Sequence, residues 1–218
     1  MSGQAQLVDV AAIEAAQQVL AGIVRRTPME STRVLGDRVG GPVFFKCENL
    51  QRAGSFKIRG AYLRISRLTD EQRARGVVAA SAGNHAQGVA LAAKLLGASA
   101  TVFMPTTAPL PKLAATRGYG ADIHLIGHTL AEPMQAARAY AAETGAVFIH
   151  PFDHPDLIAG QGTVGLEILE QCPELSTIVV CTGGGGLLSG IAAAVKGLRP
   201  DVRVVGAQAA EAACFPAS

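Results

Sequence analysis

Three short stretches hold residue types that could do chemistry. The run CTGGGGLLSG follows an apolar segment at 177–181 and sets Gly183, Gly184, Gly185 and Gly186 ahead of a helical pattern beginning near Leu187. Four residues without Cβ atoms let a backbone close around an anion, with its N–H groups and the positive end of the next helix directed at it. This suits a phosphate. The stretch is not the G-x-x-x-x-G-K-[ST] loop of nucleotide hydrolases, and it departs from G-x-G-x-x-G by placing Ser189 where the last glycine would fall. A dinucleotide site would also want an acidic residue at the end of the next strand. Gln208 stands there, with Glu211 well past it.

The second stretch, ASAGNHAQG at 80–88, also follows an apolar run and opens a helical pattern. Ser81 and Asn84 are small polar residues suited to a helix start, where free N–H groups would receive a carboxylate or a ring oxygen. His85 could be a general base, but beside a helix cap it reads first as a structural hydrogen-bonder. The third stretch, AGSFKIRGA at 53–61, puts Lys57 at the start of a helical pattern after Gly54, Ser55 and Phe56. Burial and the helix terminus would both lower its pKa and free the amine for imine formation. Alone, Lys57 beside Arg59 reads as a solvated helix face; the other two loops change that. A phosphate cradle, a reactive amine and a small polar loop are the parts that hold an aldehyde cofactor with one phosphate, and pyridoxal phosphate fits.

These stretches need elements to position them. Short β-rich runs at 43–47, 76–80, 99–104, 122–126, 146–150, 177–181 and 202–206 alternate with helical patterns at 57–68, 84–96, 109–118, 129–144, 160–171 and 187–198, after an amphipathic opening helix over 9–22. The alternation predicts an α/β fold with open, mostly parallel sheets, and the near-continuous apolar strands predict helices on both faces. Ligands of such sheets sit beyond the carboxyl ends of the strands, where all three stretches would lie. The loop HPFDHPDLIAGQG at 150–162, with its prolines and paired glycines, reads as a crossing between domains.

Composition narrows the function classes. The 218 residues, 49% of them apolar, can fill a core, and nineteen basic against seventeen acidic residues leave a charge of only +2. With no basic run longer than Arg25-Arg26, nucleic acid is not an expected partner. The N-terminus has no basic residue before its apolar part, and the longest apolar region is broken by Lys94 and glycines. A cytoplasmic protein with no membrane partner is expected. Cys47, Cys172, Cys181 and Cys214 are far apart without C-x-x-C spacing, so they read as small buried residues and not as a zinc or disulfide framework.

The segments ENLQRAGSFKIRGA, ASAGNHAQGVALAAKLLG, MPTTAPLPKLAATRGYGAD, IAGQGTVGLEIL and TGGGGLLSGIA together resemble the threonine and serine dehydratases of the fold type II (tryptophan synthase β-like) pyridoxal phosphate family, from about residue 9 to the end. The resemblance implies that Lys57 forms the Schiff base and moves the Cα proton, that Phe56 packs beside the ring, and that Asn84 hydrogen-bonds the ring hydroxyl. It assigns Ser81, Asn84 and His85 to the loop receiving the carboxylate of a small amino-acid substrate, and Gly183 to Leu187 to the phosphate. It further implies a smaller domain at 54–152 set into a larger one formed by 1–53 and 153–218, and homo-oligomers among full-length relatives. The implied reaction converts threonine, and serine secondarily, to a 2-oxoacid and ammonia.

In racemases that resemble this family a serine precedes the glycine equivalent to Gly83 and delivers a proton to the opposite ring face; Ala82 has none to give, which favours elimination. The SFKIRGA context also separates the chain from the sulfhydrylases and cystathionine synthases, whose lysine is followed by a K-D-R-like context. Some members bind a divalent cation through a glutamate and an aspartate where Gln208 and Cys214 stand here, so no metal site is expected. Family catalytic domains continue beyond EAACFPAS to supply the residue that contacts the pyridine nitrogen, so the large domain is read as incomplete. Two further readings follow: a cofactor-binding remnant without turnover and, more weakly, a dinucleotide-binding oxidoreductase.

Overall fold

The computed structural model describes residues 7–213. Helix α1 (Val10–Leu20) is capped by Asp9, whose carboxylate accepts from the Ala12 N–H, and it buries Ile13, Ala16 and Leu20. A small antiparallel pair, β1 (Met29–Ser31) and β2 (Phe44–Lys46), flanks α2 (Arg33–Val39). Helices α3 (Lys57–Ser66) and α4 (Asp70–Ala74) then lead into a parallel four-stranded unit. It comprises β3 (Val77–Ala80), α5 (Asn84–Leu95), β4 (Ala100–Met104), α6 (Leu110–Gly118), β5 (Asp122–Leu125), α7 (Ala131–Thr144) and β6 (Val147–Phe148). The long α8 (Pro155–Gln171) carries the chain to β7 (Thr177–Cys181), α9 (Gly186–Leu198) and β8 (Arg203–Ala207).

The four strands are ordered β5-β4-β3-β6, all parallel. The chain starts at β3, winds outward through β4 and β5, and returns to β6 on the other side of β3. A crevice therefore opens at the carboxyl ends of β3 and β6, where the winding reverses. Helices cover both faces of this sheet. Val77, Ala79, Val102 and Met104 pack with Ile58, Ala86, Val89 and Leu113, while Val78, Ala80 and Phe103 pack with Ala137 and Met134.

The parallel β7-β8 pair is covered on one face, where Ile178 and Val180 meet Val164, Ile168, Ile191 and Val195. Along β7 burial alternates, and Val179 is 67% exposed on the other face. The apolar run there signalled two covered faces; among the described residues one is covered. The same open face exposes Cys181, against the expectation of buried thiols; Cys47 and Cys172 are half-buried, and Cys214 lies outside the described residues. No helix of the described residues is long and apolar enough to cross a membrane.

The helix expected at 160–171 begins at Pro155. Proline suits the first turn, where its missing N–H is no loss, and the His154 ring caps the helix by accepting from the Asp156 N–H. Gly160 and Gly162, which looked like breakers, are points of contact. A Cβ on Gly160 would lie 2.5 Å from the Gly60 Cα of α3, and one on Gly190 of α9 would lie 2.6 Å from the Gly162 N. Helix α8 therefore touches α3 and α9 backbone to backbone, and it ties the lysine stretch to the glycine stretch.

Arg59 belongs to no solvated face: its side chain is fully buried. Nε and Nη2 donate to Glu48 at 2.9 and 2.8 Å, and Nη1 donates to Glu167 at 2.6 Å and to Thr163 Oγ1 at 3.1 Å. Lys46 Nζ, 2.5 Å from the other Glu167 oxygen, completes the cluster with Thr27 and Gln171. Burial opposes the charge on Arg59, but Glu48 and Glu167 outweigh it and hold the guanidinium pKa above its ordinary value. Replacing Arg59 with methionine leaves the half-buried Glu48 without its ion pair and the buried Glu167 with Lys46 alone. The expected cost is about 3–5 kcal/mol of unfolding free energy in urea titration, and a loss below about 1 kcal/mol would contradict the clamp.

Candidate active site

The four glycines after β7 divide their tasks. Gly185, with φ at +92°, makes the turn into α9, a backbone conformation that side chains rarely adopt. A Cβ on Gly184 would lie 2.2 Å from the Phe152 ring, and one on Gly186 would lie 2.8 Å from the Phe152 carbonyl oxygen, so both make room for Phe152. Gly183 faces open space. The N–H groups of Gly183 to Leu187 donate to no other described residue, although Thr182 just before them still pairs with Ala207 at 2.8 Å. Five free donors at the start of a 13-residue helix form an anion cradle. Gln208, where a dinucleotide site would want a carboxylate, instead donates to the Gly183 carbonyl at 3.4 Å.

Lys57 opens α3 directly after a compressed turn. Ala53 there has φ of +59°, the sole non-glycine positive value among the described residues, and Gly54 has +69°. The Lys57 ammonium donates to the Pro151 carbonyl at 2.5 Å and lies 5.3 Å from the centroid of the Phe56 ring. Phe56 itself packs against the β7-α9 cluster, as Leu187 does. Helix α5 passes so closely that a Cβ on Gly88 would lie 3.1 Å from the Lys57 Cβ. Burial lowers the Lys57 pKa from 10.5 to about 8.

At the end of β3, the Ser81 hydroxyl accepts from the Gly83 N–H at 3.1 Å and shapes the turn into α5. Asn84 is exposed, and its Oδ1 accepts from Lys112 Nζ at 2.7 Å. The His85 ring is turned inward, with Nε2 2.9 Å from the Ile149 carbonyl; a carbonyl only accepts, so Nε2 carries the proton. Burial first, and the Lys57 charge second, push its pKa down to about 3. A neutral, committed imidazole is a structural hydrogen-bonder, and what His85 can offer a ligand at this loop is its backbone N–H.

One segment touches every part. In the loop after β6, the Ile149 carbonyl meets His85, the Pro151 carbonyl meets Lys57, and Phe152 fills the space over Gly184 and Gly186. The His150 ring holds the loop in shape by accepting from the N–H groups of Phe152 and Asp153 at 3.3 and 2.8 Å. Sequence reasoning missed Pro151, Phe152 and Lys112. The available signal was position: that loop leaves the strand beside the winding reversal.

The donors suit a phosphate at the glycine loop, the lowered amine suits an aldehyde, and Asn84 suits a ring oxygen, so the residues fit pyridoxal phosphate. Two measurements test the geometry. Reductive methylation of Lys57, followed by peptide mass spectrometry, should rise with a midpoint near pH 8, because below it the amine is protonated and unreactive; a midpoint above pH 10 would contradict the burial. Gly184→Ala should cost about 1–3 kcal/mol by overpacking, and Phe152→Ala should relieve it in the double variant; strictly additive costs would remove the Phe152 contact.

Comparison with known proteins agrees with this chemistry. The family model described as pyridoxal-phosphate dependent enzyme matches residues 20–218. The chain is 51% identical over 202 residues to the L-threonine ammonia-lyase of Thermotoga maritima, covering 93% of this chain and 50% of that protein. Among solved structures, maize serine racemase superposes with a TM-score of 0.89 at 46% identity, covering 92% of this chain and 61% of that one. The processed threonine deaminase isoform 2 of Solanum lycopersicum gives 0.85 at 40% identity, covering 91% and 54%. The chain thus spans 50% to 60% of the length of curated relatives it matches. With the family model running over nearly all of the sequence, and over every residue named in the site, the chain belongs to the pyridoxal-phosphate dependent enzyme family.

Proposed function

We propose that this chain carries the lysine, phosphate and ring-hydroxyl contacts of an ammonia-lyase that converts L-threonine to 2-oxobutanoate and ammonia, and L-serine secondarily to pyruvate and ammonia. The observation that carries the reading is the half-buried Lys57 amine, tied through Pro151 and Phe152 to the glycine cradle. The names of the threonine ammonia-lyase and threonine deaminase relatives support the substrate class. Residues 54–152 would form the smaller domain, and the segments on either side the larger.

In this reading Gly183 to Leu187 hold the cofactor phosphate through their N–H groups, Phe56 lies beside the ring, and Asn84 donates to the ring hydroxyl. Lys57 holds the aldehyde carbon. The bound cofactor supplies an electron sink for charge developing at the substrate Cα. The chain's own residues do the rest. Ser81, Asn84 and the His85 N–H, at the start of α5, bind the substrate carboxylate. Lys57 Nζ would remove the Cα proton, which a pKa of about 8 suits near neutral pH. Loss of the β-hydroxyl as water, and later addition of water with loss of ammonia, balance threonine against 2-oxobutanoate. Ala82 has no proton to return to Cα from the opposite face, which favours elimination over racemisation.

The test adds pyridoxal phosphate and L-threonine to the purified chain and measures 2-oxoacid and ammonia. Equimolar products are expected, with a loss of at least about 100-fold in Lys57→Ala. A chain that takes up the cofactor but inverts Cα without releasing ammonia, or that forms no 2-oxoacid, would overturn the proposal.

A further inference from the structure

The segment MPTTAPLPKLAATRGYGAD carries part of the family resemblance, yet no role above falls on it. Lys112 lies in the first turn of α6, half-buried, on a helix anchored to the core through Leu113. Its ammonium reaches across to the neighbouring α5 and donates to Asn84 Oδ1 at 2.7 Å. No carboxylate of the described residues pairs with it, in contrast to Lys46, whose ammonium is consumed by Glu167, Gln171 and the Thr27 carbonyl. The Lys112 charge is thus left at the end of the asparagine side chain.

The two ends of an asparagine amide are nearly isosteric but opposite in function, one accepting and the other donating. An ammonium only donates, so a lysine beside the amide decides which end faces it. With Oδ1 committed to Lys112, Asn84 presents its NH₂ to the site. We propose that Lys112 is a positioning residue acting through Asn84: it fixes the amide so that Nδ2 donates to the cofactor's ring oxygen. The inference rests on the reading that Asn84 meets that oxygen. Without Lys112 the amide is free to turn its carbonyl toward the ring, where two acceptors would oppose each other. The nearby positive charge also favours the deprotonated ring oxygen, which accepts the Asn84 hydrogen bond best.

The test is titration of the full chain with pyridoxal phosphate, read by visible absorbance, for the parent and four variants. Lys112→Met should raise the dissociation constant about tenfold, the scale of one charge-assisted hydrogen bond. Lys112→Arg, which keeps the donor and the charge, should stay within about twofold. Asn84→Ala should weaken binding by itself, and adding Lys112→Met to it should change binding by less than about twofold, because the contact through which Lys112 acts is gone. Unchanged binding in Lys112→Met, no rescue by arginine, or a full tenfold loss in the Asn84→Ala background would each overturn the inference while leaving the proposed function standing. A parent chain that takes up no cofactor would instead overturn that function, and this inference with it.

Discussion

The site depends on how closely α8 can approach the helices on either side of it. Only residues without side chains let the backbone of α8 lie against α3 at Gly60 and Gly160, and against α9 at Gly162 and Gly190. At this distance the start of α3, carrying Lys57, and the start of α9, carrying the glycine loop, are fixed by one rigid element. Arg59 closes the same junction with charge. From α3 it reaches Glu167 and Thr163 on α8 and Glu48 ahead of α3, so a rotation of α3 that displaced Lys57 would strand buried charges.

Chemistry follows from what this frame puts around the amine. The Lys57 ammonium has the Pro151 carbonyl as its hydrogen-bond acceptor and no carboxylate ion pair among the described residues, so burial, its first cause, lowers its pKa toward the range where a neutral amine is available. The loop after β6 touches both the amine and the anion cradle. Its Pro151 oxygen serves the lysine, the Phe152 ring takes the space that Gly184 leaves free, and the Phe152 main chain and Cβ take the space at Gly186. The sheet supplies the location, since β3 and β6 lie on the two sides of the point where the winding reverses.

Much of this was legible in the sequence because it is local. The alternation of apolar strands and alanine-rich helices marks the parallel sheet, and each candidate ligand-binding stretch sits at a helix start that its own glycines and small polar residues announce. What was not legible is set by distant partners. Arg59 beside Lys57 looks like a solvated pair, and only the meeting of α3 with Glu167 on α8 shows a buried clamp. Gly160 and Gly162 looked like helix breakers because their role, close approach to α3 and α9, has no local trace. Phe152 and Lys112 carry no motif chemistry of their own, and they matter through the glycines and the asparagine they touch. Helix α2 and strand β1 escaped notice as short segments without a clear apolar period.

We propose Lys57, among all the lysines, as the amine that holds the cofactor. Hydride reduction of the chain loaded with pyridoxal phosphate, followed by proteolysis and peptide mass spectrometry, fixes the cofactor to the amine that bears it and reads the position directly. One modified site per chain is expected, at Lys57. Modification centred on Lys46, Lys94 or Lys112, or spread evenly over the surface lysines, would contradict it.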